Sequence, residues 1–557
     1  MPGITILGVI MKLLLSTILL CLLPLSAIGQ SLLLENLRGY TANSERQWQS
    51  FDWLLIQHGR VSAVGFDGAE APPADQRRDM QGKVVLPGLI DAHAHIANLG
   101  LSMLNADLRD LDSLAASVER VAEFAAEHPD LPWIEGRAWN QVLWQDHNDF
   151  PTAADLDAVV DDRPVWLVRV DGHAGWANSM ALELAGIDAD TADPDGGEII
   201  RDDDGQPTGV LIDTAMYKVS RLIPEPDHDT LREAMLNAMN HAASVGLTSV
   251  HDAGVNVAED RVYRQLRAEN ALPIRIWGLI GGVGEDFDTL AQHGPLRDPW
   301  YSLASVKLYN DGALGSRGAA LHEPYSDAAD TRGLLFNTVE QLTPLLEKAI
   351  SRGFQVGVHA IGDRANTVVL DSFAGVLGDD SGRRALRHRI EHAQVLRVDE
   401  IPRLAELDLI ASMQPIHATS DKNMAEDRLG SERIHGAYAW QRFLEAEVVI
   451  ASGSDFPVEP AEPFYGLHAA VTRQDRQHQP PGGWYSNQAL TMEQALNSFT
   501  IDAAFAGHAE NQLGRLLPGY RADFIVLEEN PLEIEANELW QLLPLQTWVD
   551  GQQVFSK

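Results

Sequence analysis

Four histidines, a lysine and an aspartate in this 557-residue chain are of the types that hold a divalent cation. His93 and His95 close the run Asp91-Ala-His-Ala-His95. Alternate residues of an extended strand face the same way, so both imidazoles project together, as two ligands of one cation must. Lys307, His359, His392 and Asp455 each sit in or just after a short apolar run of the same kind. Imidazole and carboxylate suit zinc first, with manganese, iron or cobalt also accommodated. Such a cation activates water, and an aspartate beside it can take the released proton: the chemistry is hydrolysis. The single cysteine, Cys21, excludes a cysteine-based zinc site and an intramolecular disulfide. There is no Gly-x-Ser-x-Gly elbow, which removes a serine hydrolase. The glycines of 312–318 are not followed by Gly-Lys-Ser/Thr, which removes a nucleotide loop.

Those residues have to be positioned by regular elements. Eight short apolar runs read as strands: Val84–His95, Leu247–Gly254, Pro273–Ile280, Ala304–Asn310, Gln355–Gly362, Arg387–Gln394, Leu409–Pro415 and Glu447–Phe456. Helical stretches such as Asp229–Val245 and Val339–Arg352 separate several of them, so the pattern predicts an α/β fold with a (β/α)8 barrel over 87–504. In such a barrel the C-terminal strand ends converge on one mouth, where catalytic residues gather. The first two strands are far apart in sequence, which predicts an inserted, mixed or β-rich cap over about 130–215. Segments 30–86 and 505–557 alternate apolar stretches with polar turns; neither buries enough alone, so both chain ends are expected to build one small β-sandwich. Ahead of them, Lys12, the apolar run Leu13 to Leu23, Pro24 and the small residues Ala27 and Gly29 have the order of an export signal ending near residue 29. The run is short for a membrane span. Met11 offers a second start.

At these residues the chain resembles the amidohydrolase superfamily, in particular amidohydrolase family 3, the branch that includes N-substituted formamide deformylases. The matching text includes Val84-Val-Leu-Pro-Gly-Leu-Ile-Asp-Ala-His-Ala-His95, Asp171-Gly-His-Ala-Gly-Trp-Ala-Asn-Ser179 and the run from Val306 to Gly318. It continues in His359-Ala-Ile-Gly-Asp-Arg-Ala365, Arg389-Ile-Glu-His-Ala-Gln394, Ser412-Met-Gln-Pro415, Gly453-Ser-Asp-Phe-Pro457 and Leu516 to Val526. The resemblance implies that His93 and His95 bind one divalent ion and His359 and His392 a second, two zinc ions in all. It also implies that Lys307, N6-carboxylated by carbon dioxide, bridges them. An unmodified Lys307 paired with Asp311 or with a substrate acid is the alternative. Asp455 is implied as a metal ligand and as the general acid/base. His173 and Trp176, in the cap, either reach down to hold substrate or anchor the cap. Asp363, Arg364, Gln414 and His417, at or just past strand ends, are candidates for substrate contact.

The expectation is an exported hydrolase, periplasmic or extracellular, that cleaves the carbon–nitrogen bond of a small amide, formamide or cyclic amide. A dipeptidase or acyl-amino-acid hydrolase is the alternative within the same superfamily, and a non-catalytic binding protein that keeps the fold is the alternative outside enzymes. The chain carries 42 Lys and Arg against 80 Asp and Glu, a net charge of −38, which argues against nucleic acid and anionic membrane as partners. With the signal removed, no membrane segment is expected. The oligomeric state is not legible in the text.

Overall fold

The computed structural model describes residues 31–557, except 67 and 148; the expected export signal lies outside the described residues. At its centre an eight-stranded parallel sheet follows sequence order. The strands are β1 Leu89–Ala94, β2 Leu247–Val255, β3 Arg275–Gly281, β4 Tyr301–Tyr309, β5 Gln355–Ala360, β6 Arg389–His392, β7 Ile410–Met413 and β8 Ile450–Ser452. Strands covered by helices outside and by packed side chains inside read as unbroken apolar runs, and every residue of β1, β5, β6, β7 and β8 is buried.

The barrel closes just past the ends of β8 and β1, at the chemistry-bearing residues themselves. Asp455 N donates to His93 O at 2.7 Å and His95 N donates to Phe456 O at 2.8 Å. Beneath them, Ser454 donates from Oγ to Asp91 Oδ2 at 2.6 Å. Around the barrel, helix His228–Ser244 starts at Asp227, whose side chain accepts from Thr230 N, and buries Leu231, Met235, Ala238, Met239 and Ala242 along one stripe. That spacing is the helical period turned to a core. Helix Val339–Ile350 opens with a Thr338–Gln341 capping box and buries Leu342, Leu346 and Ala349 in the same way.

The expected first strand is two strands. Val84–Pro87 joins a six-stranded sheet made by both chain ends, lying between Arg38–Ala42 and Phe524–Leu527, while Leu89–Ala94 enters the barrel. Pro87 lacks a backbone donor, and a Cβ on Gly88 would stand 2.2 Å from Thr248 Oγ1, so the chain can turn there only with glycine. A four-stranded sheet, led by Leu32–Glu35 and Trp53–Gln57, packs on the first through Leu34, Leu54, Phe51, Val85, Phe524 and Trp548.

The insertion between β1 and β2 is a mixed six-stranded sheet. It begins at Ala106, earlier than the expected 130, because Ala106–Asp107 pairs in parallel with Gly136–Arg137. Its strands Ile134–Trp139, Val165–Arg169, Ala174–Ala177, Gly197–Arg201 and Pro207–Asp213 stand over the barrel mouth.

Candidate metal centre

β1 delivers His93, and His95 follows one residue past its end as the cap of helix Ile96–Ser102. His93 is fully buried, with Nδ1 2.6 Å from Glu391 Oε2. Glu391 accepts the Nδ1 proton, so the Nε2 lone pair faces the site. There Nε2 lies 3.0 Å from Lys307 Nζ and 3.5 Å from Asp455 Oδ1. His95 Nε2 is 3.0 Å from the same carboxylate oxygen. The other oxygen, Oδ2, lies 3.5 Å from His417 Nε2, and His417 Nδ1 is 3.2 Å from Glu459. His392 directs Nδ1 to Gln414 Oε1 at 2.8 Å, which likewise leaves Nε2 free. Its ring centre is 4.9 Å from that of His93 and 4.5 Å from that of His359.

Backbone strain sets part of this geometry. His392 and Asp455 sit at φ of 71° and 62°, left-handed positions that cost a non-glycine residue about 1 kcal/mol or more. On a regular strand Glu391 and His392 would face opposite ways. The left-handed turn lets both touch the surroundings of His93.

Ligand atoms of His93, His95 and Asp455 come within 4.8 Å of one another, as do those of His392, His417 and Asp455. His359 stands beside the second group, its Nε2 3.5 Å from Asp311 Oδ1 and its ring against Tyr309 and His173. His359 Nε2 and Asp455 Oδ1 are buried with no hydrogen-bond partner among the described residues. Native proteins rarely leave such atoms orphaned, and a divalent cation would satisfy both, so the donor set fits a metal.

Burial pulls the His93 imidazole down to about 4, further helped by Lys307, so it stands as a neutral ligand. Burial also lowers the Lys307 ammonium to about 8, against the pull of Glu391 and Asp455. Asp311 is not the partner of Lys307: its carboxylate accepts from the backbone N–H groups of Ile361, Gly362 and Ala320 at 2.8–2.9 Å.

The site opens into a cavity of about 1220 Å³ between barrel and cap, lined by His95, Lys307, His359, His392, His417 and Asp455 among others. His173 lines it too, with Nδ1 2.5 Å from Asp213 Oδ1. Burial opposes a charge on His173, but Asp213 outweighs it and pushes the imidazole up to about 9. Four expected substrate contacts are not part of this lining. Trp176 is three residues from His173 on an extended segment and so faces the opposite way; it is buried against Trp139 and Trp144, with Nε1 on Thr152 O. Gln414 is spent on orienting His392. Asp363 accepts from His322 N at 2.9 Å behind the loop after β5, and the Arg364 side chain is exposed outside it.

Residue spacing did not single out the support beneath the ligands. Arg389 donates from Nη2 to Glu391 Oε2 at 2.9 Å and to Ser412 Oγ at 2.7 Å, so the base of His93 is a buried ion pair. The adjacency of Arg389, Glu391 and His392 in one short strand was the available signal.

The chain is similar to several known proteins. A protein from Arabidopsis thaliana, Protein LONG AFTER FAR-RED 3, is 33% identical over 96% of this chain and 93% of its own length. The putative amidohydrolase YtcJ of Bacillus subtilis is 33% identical over 87% of this chain and 91% of its own. N-substituted formamide deformylase of Arthrobacter pascens is 29% identical over 89% and 94% respectively. Among solved structures, an uncharacterized metal-dependent hydrolase from Pyrococcus horikoshii OT3 superposes with a TM-score of 0.73 and 28% identity, covering 91% of this chain and 99% of its own. The Amidohydrolase family (Amidohydro_3) matches residues 76–555, which takes in the barrel, the cap and every residue of the histidine–aspartate cluster, and the chain belongs to that family.

Proposed function

We propose that this hydrolase cleaves the carbon–nitrogen bond of a small-molecule amide, formamide or cyclic amide. The observation that carries the reading is the convergence of His93, His95, Lys307, His392 and Asp455 on one point at the floor of the cavity, with His359 beside it. His93, His95, His359, His392 and Asp455, with His417, would hold one or two divalent ions, zinc by donor type, and Lys307, if N6-carboxylated, would bridge them. When bound, such an ion lowers the pKa of water and stabilises negative charge on a carbonyl oxygen.

The chain's own residues supply the rest. Asp455 stands between His95 and His417 with Oδ1 unsatisfied, placed to accept a proton from an attacking water and return it to the leaving amine. His173, held by Asp213 on the cap side of the cavity, offers a donor to the substrate carbonyl. The cap walls the cavity on the side facing the barrel mouth and would shield the site from bulk water. The formamide deformylase relative supports N-formyl compounds as a class to test.

The test is a panel of N-formyl, N-acyl and cyclic amides with the zinc-loaded mature chain. Turnover of at least one class, abolished by chelator and by His93→Ala, is expected. Metal uptake without turnover of any member would favour a binding protein. We also propose that the chain is exported and cut before about Gln30. N-terminal sequencing of secreted material should begin there, and membrane-bound material retaining Leu13 would refute it.

A further inference from the structure

Among the described residues, the cavity holds one arginine whose side chain has no hydrogen-bond or ion-pair partner. Arg137 lies on the cap strand Ile134–Trp139 and lines the same cavity as His95, Lys307, His392 and Asp455. The other basic side chains of the lining are spoken for. Arg169 binds Asp171 at 2.5 Å, Lys422 binds Asp475 at 2.8 Å, and Arg476 binds Asp110 at 3.2 Å. Arg109 donates to Val458 O at 2.9 Å, and Lys307 faces His93. The Arg137 guanidinium makes no hydrogen bond or ion pair among the described residues, and its Nε is fully shielded from solvent without a partner.

Arg137 is partly buried, and a partly desolvated charge with no partner gains from an anionic ligand. Gly172, at φ +76°, lies beside Arg137: a Cβ there would stand in ordinary contact, 3.8 Å from Arg137 Nη2. Burial and nearby Arg109 lower Arg137 only to about 10, so it stays charged at neutral pH. The carboxylates that act on its charge, Asp455 and Asp171, form no ion pair with it. The planar fork of arginine matches a carboxylate through two parallel hydrogen bonds.

We infer that Arg137 binds an anionic oxyacid group, a carboxylate, on the substrate and so selects carboxylated amides such as N-acyl amino acids over neutral ones. This rests on the amide-hydrolase reading and names its substrate class.

Three acids, N-benzoylglycine, N-acetylmethionine and N-formylmethionine, are each compared with the corresponding primary carboxamide. Both equilibrium binding by calorimetry and hydrolysis by the zinc-loaded full chain are measured. The wild type should prefer at least one acid by ~10-fold or more in binding and in kcat/KM. Arg137→Gln should collapse that acid-to-amide ratio to near one. Arg137→Lys should retain part of it, because it keeps the charge without the fork, and thermal melting confirms that each variant is folded. An acid preference in binding that is lost in Arg137→Gln upholds the inference even if nothing is hydrolysed; that result would sink the amide-hydrolase reading alone. Hydrolysis with no acid preference in the wild type, or with a preference that survives Arg137→Gln, overturns the inference and leaves the reading standing.

Discussion

Glu391→Gln exchanges one buried carboxylate oxygen for an amide while keeping its shape. The carboxylate lies 2.6 Å from His93 Nδ1 and 2.9 Å from Arg389 Nη2, and all three side chains are fully buried. The amide oxygen can still accept from Nδ1, so His93 keeps its tautomer. The lost charge has two effects. Arg389 becomes an uncompensated buried cation, an effect of 3–5 kcal/mol for a typical buried pair. Because Arg389 retains Ser412 Oγ and Ala92 O, the lower end, about 3 kcal/mol of stability, is expected. His93 also becomes a weaker base, which lowers metal affinity by about 10–100-fold. The assays are chelator competition for zinc and denaturant unfolding. The double variant Arg389→Met/Glu391→Gln separates the two effects: it removes the unpaired cation and should regain stability, yet its zinc affinity should stay low. Wild-type zinc affinity in Glu391→Gln, or its full return in the double variant, would refute the reasoning that Glu391 acts through His93.

Asp455→Asn should fold and retain most of its metal, because one ligating oxygen remains. Its turnover should fall at least ~100-fold, measured by steady-state kinetics, since an amide accepts no proton at neutral pH; near wild-type turnover would send the search for a base to His417. Lys307→Ala should lose most metal and activity, with partial rescue by small carboxylic acids, and Lys307→Arg should fail as well. Full metal content by elemental analysis with normal turnover in Lys307→Ala would leave the site without a lysine bridge. His388 is buried, accepts from Val356 N at 3.0 Å, and is lowered by burial from 6.5 to about 3. Between those values the unfolded chain binds the extra proton, so the stability tied to neutral His388 is whole above about pH 6.5 and is lost as pH falls toward 3. At pH 4.5 the loss amounts to about 2–3 kcal/mol. Unfolding curves at pH 7 and 4.5 should show a smaller pH effect in His388→Asn than in the wild type, and equal effects would remove His388 as the cause.

The sequence alone carried whatever depends on local period. His93 and His95 are two apart on a strand and had to face one way, and the apolar runs at the eight barrel strands are read within a few residues of their ends. Helix 228–244 follows from its own stripe of buried residues. The opposite facing of His173 and Trp176 was written in their odd spacing as well. Tertiary structure alone decided what depends on contacts between distant segments. Glu391 finds His93 across 298 residues of chain, and Thr248 packs so close to Gly88 that it leaves no room for a Cβ. The left-handed backbone at His392 is imposed by what the barrel places around it, not by histidine's own preference. Whether an arginine has a partner is likewise decided by packing: the buried Arg389 acquires one in Glu391, and the partly buried Arg137 is left at the cavity without one among the described residues. Periodicity is a property of neighbours in the chain, whereas ligand geometry and charge pairing depend on residues that only folding brings together.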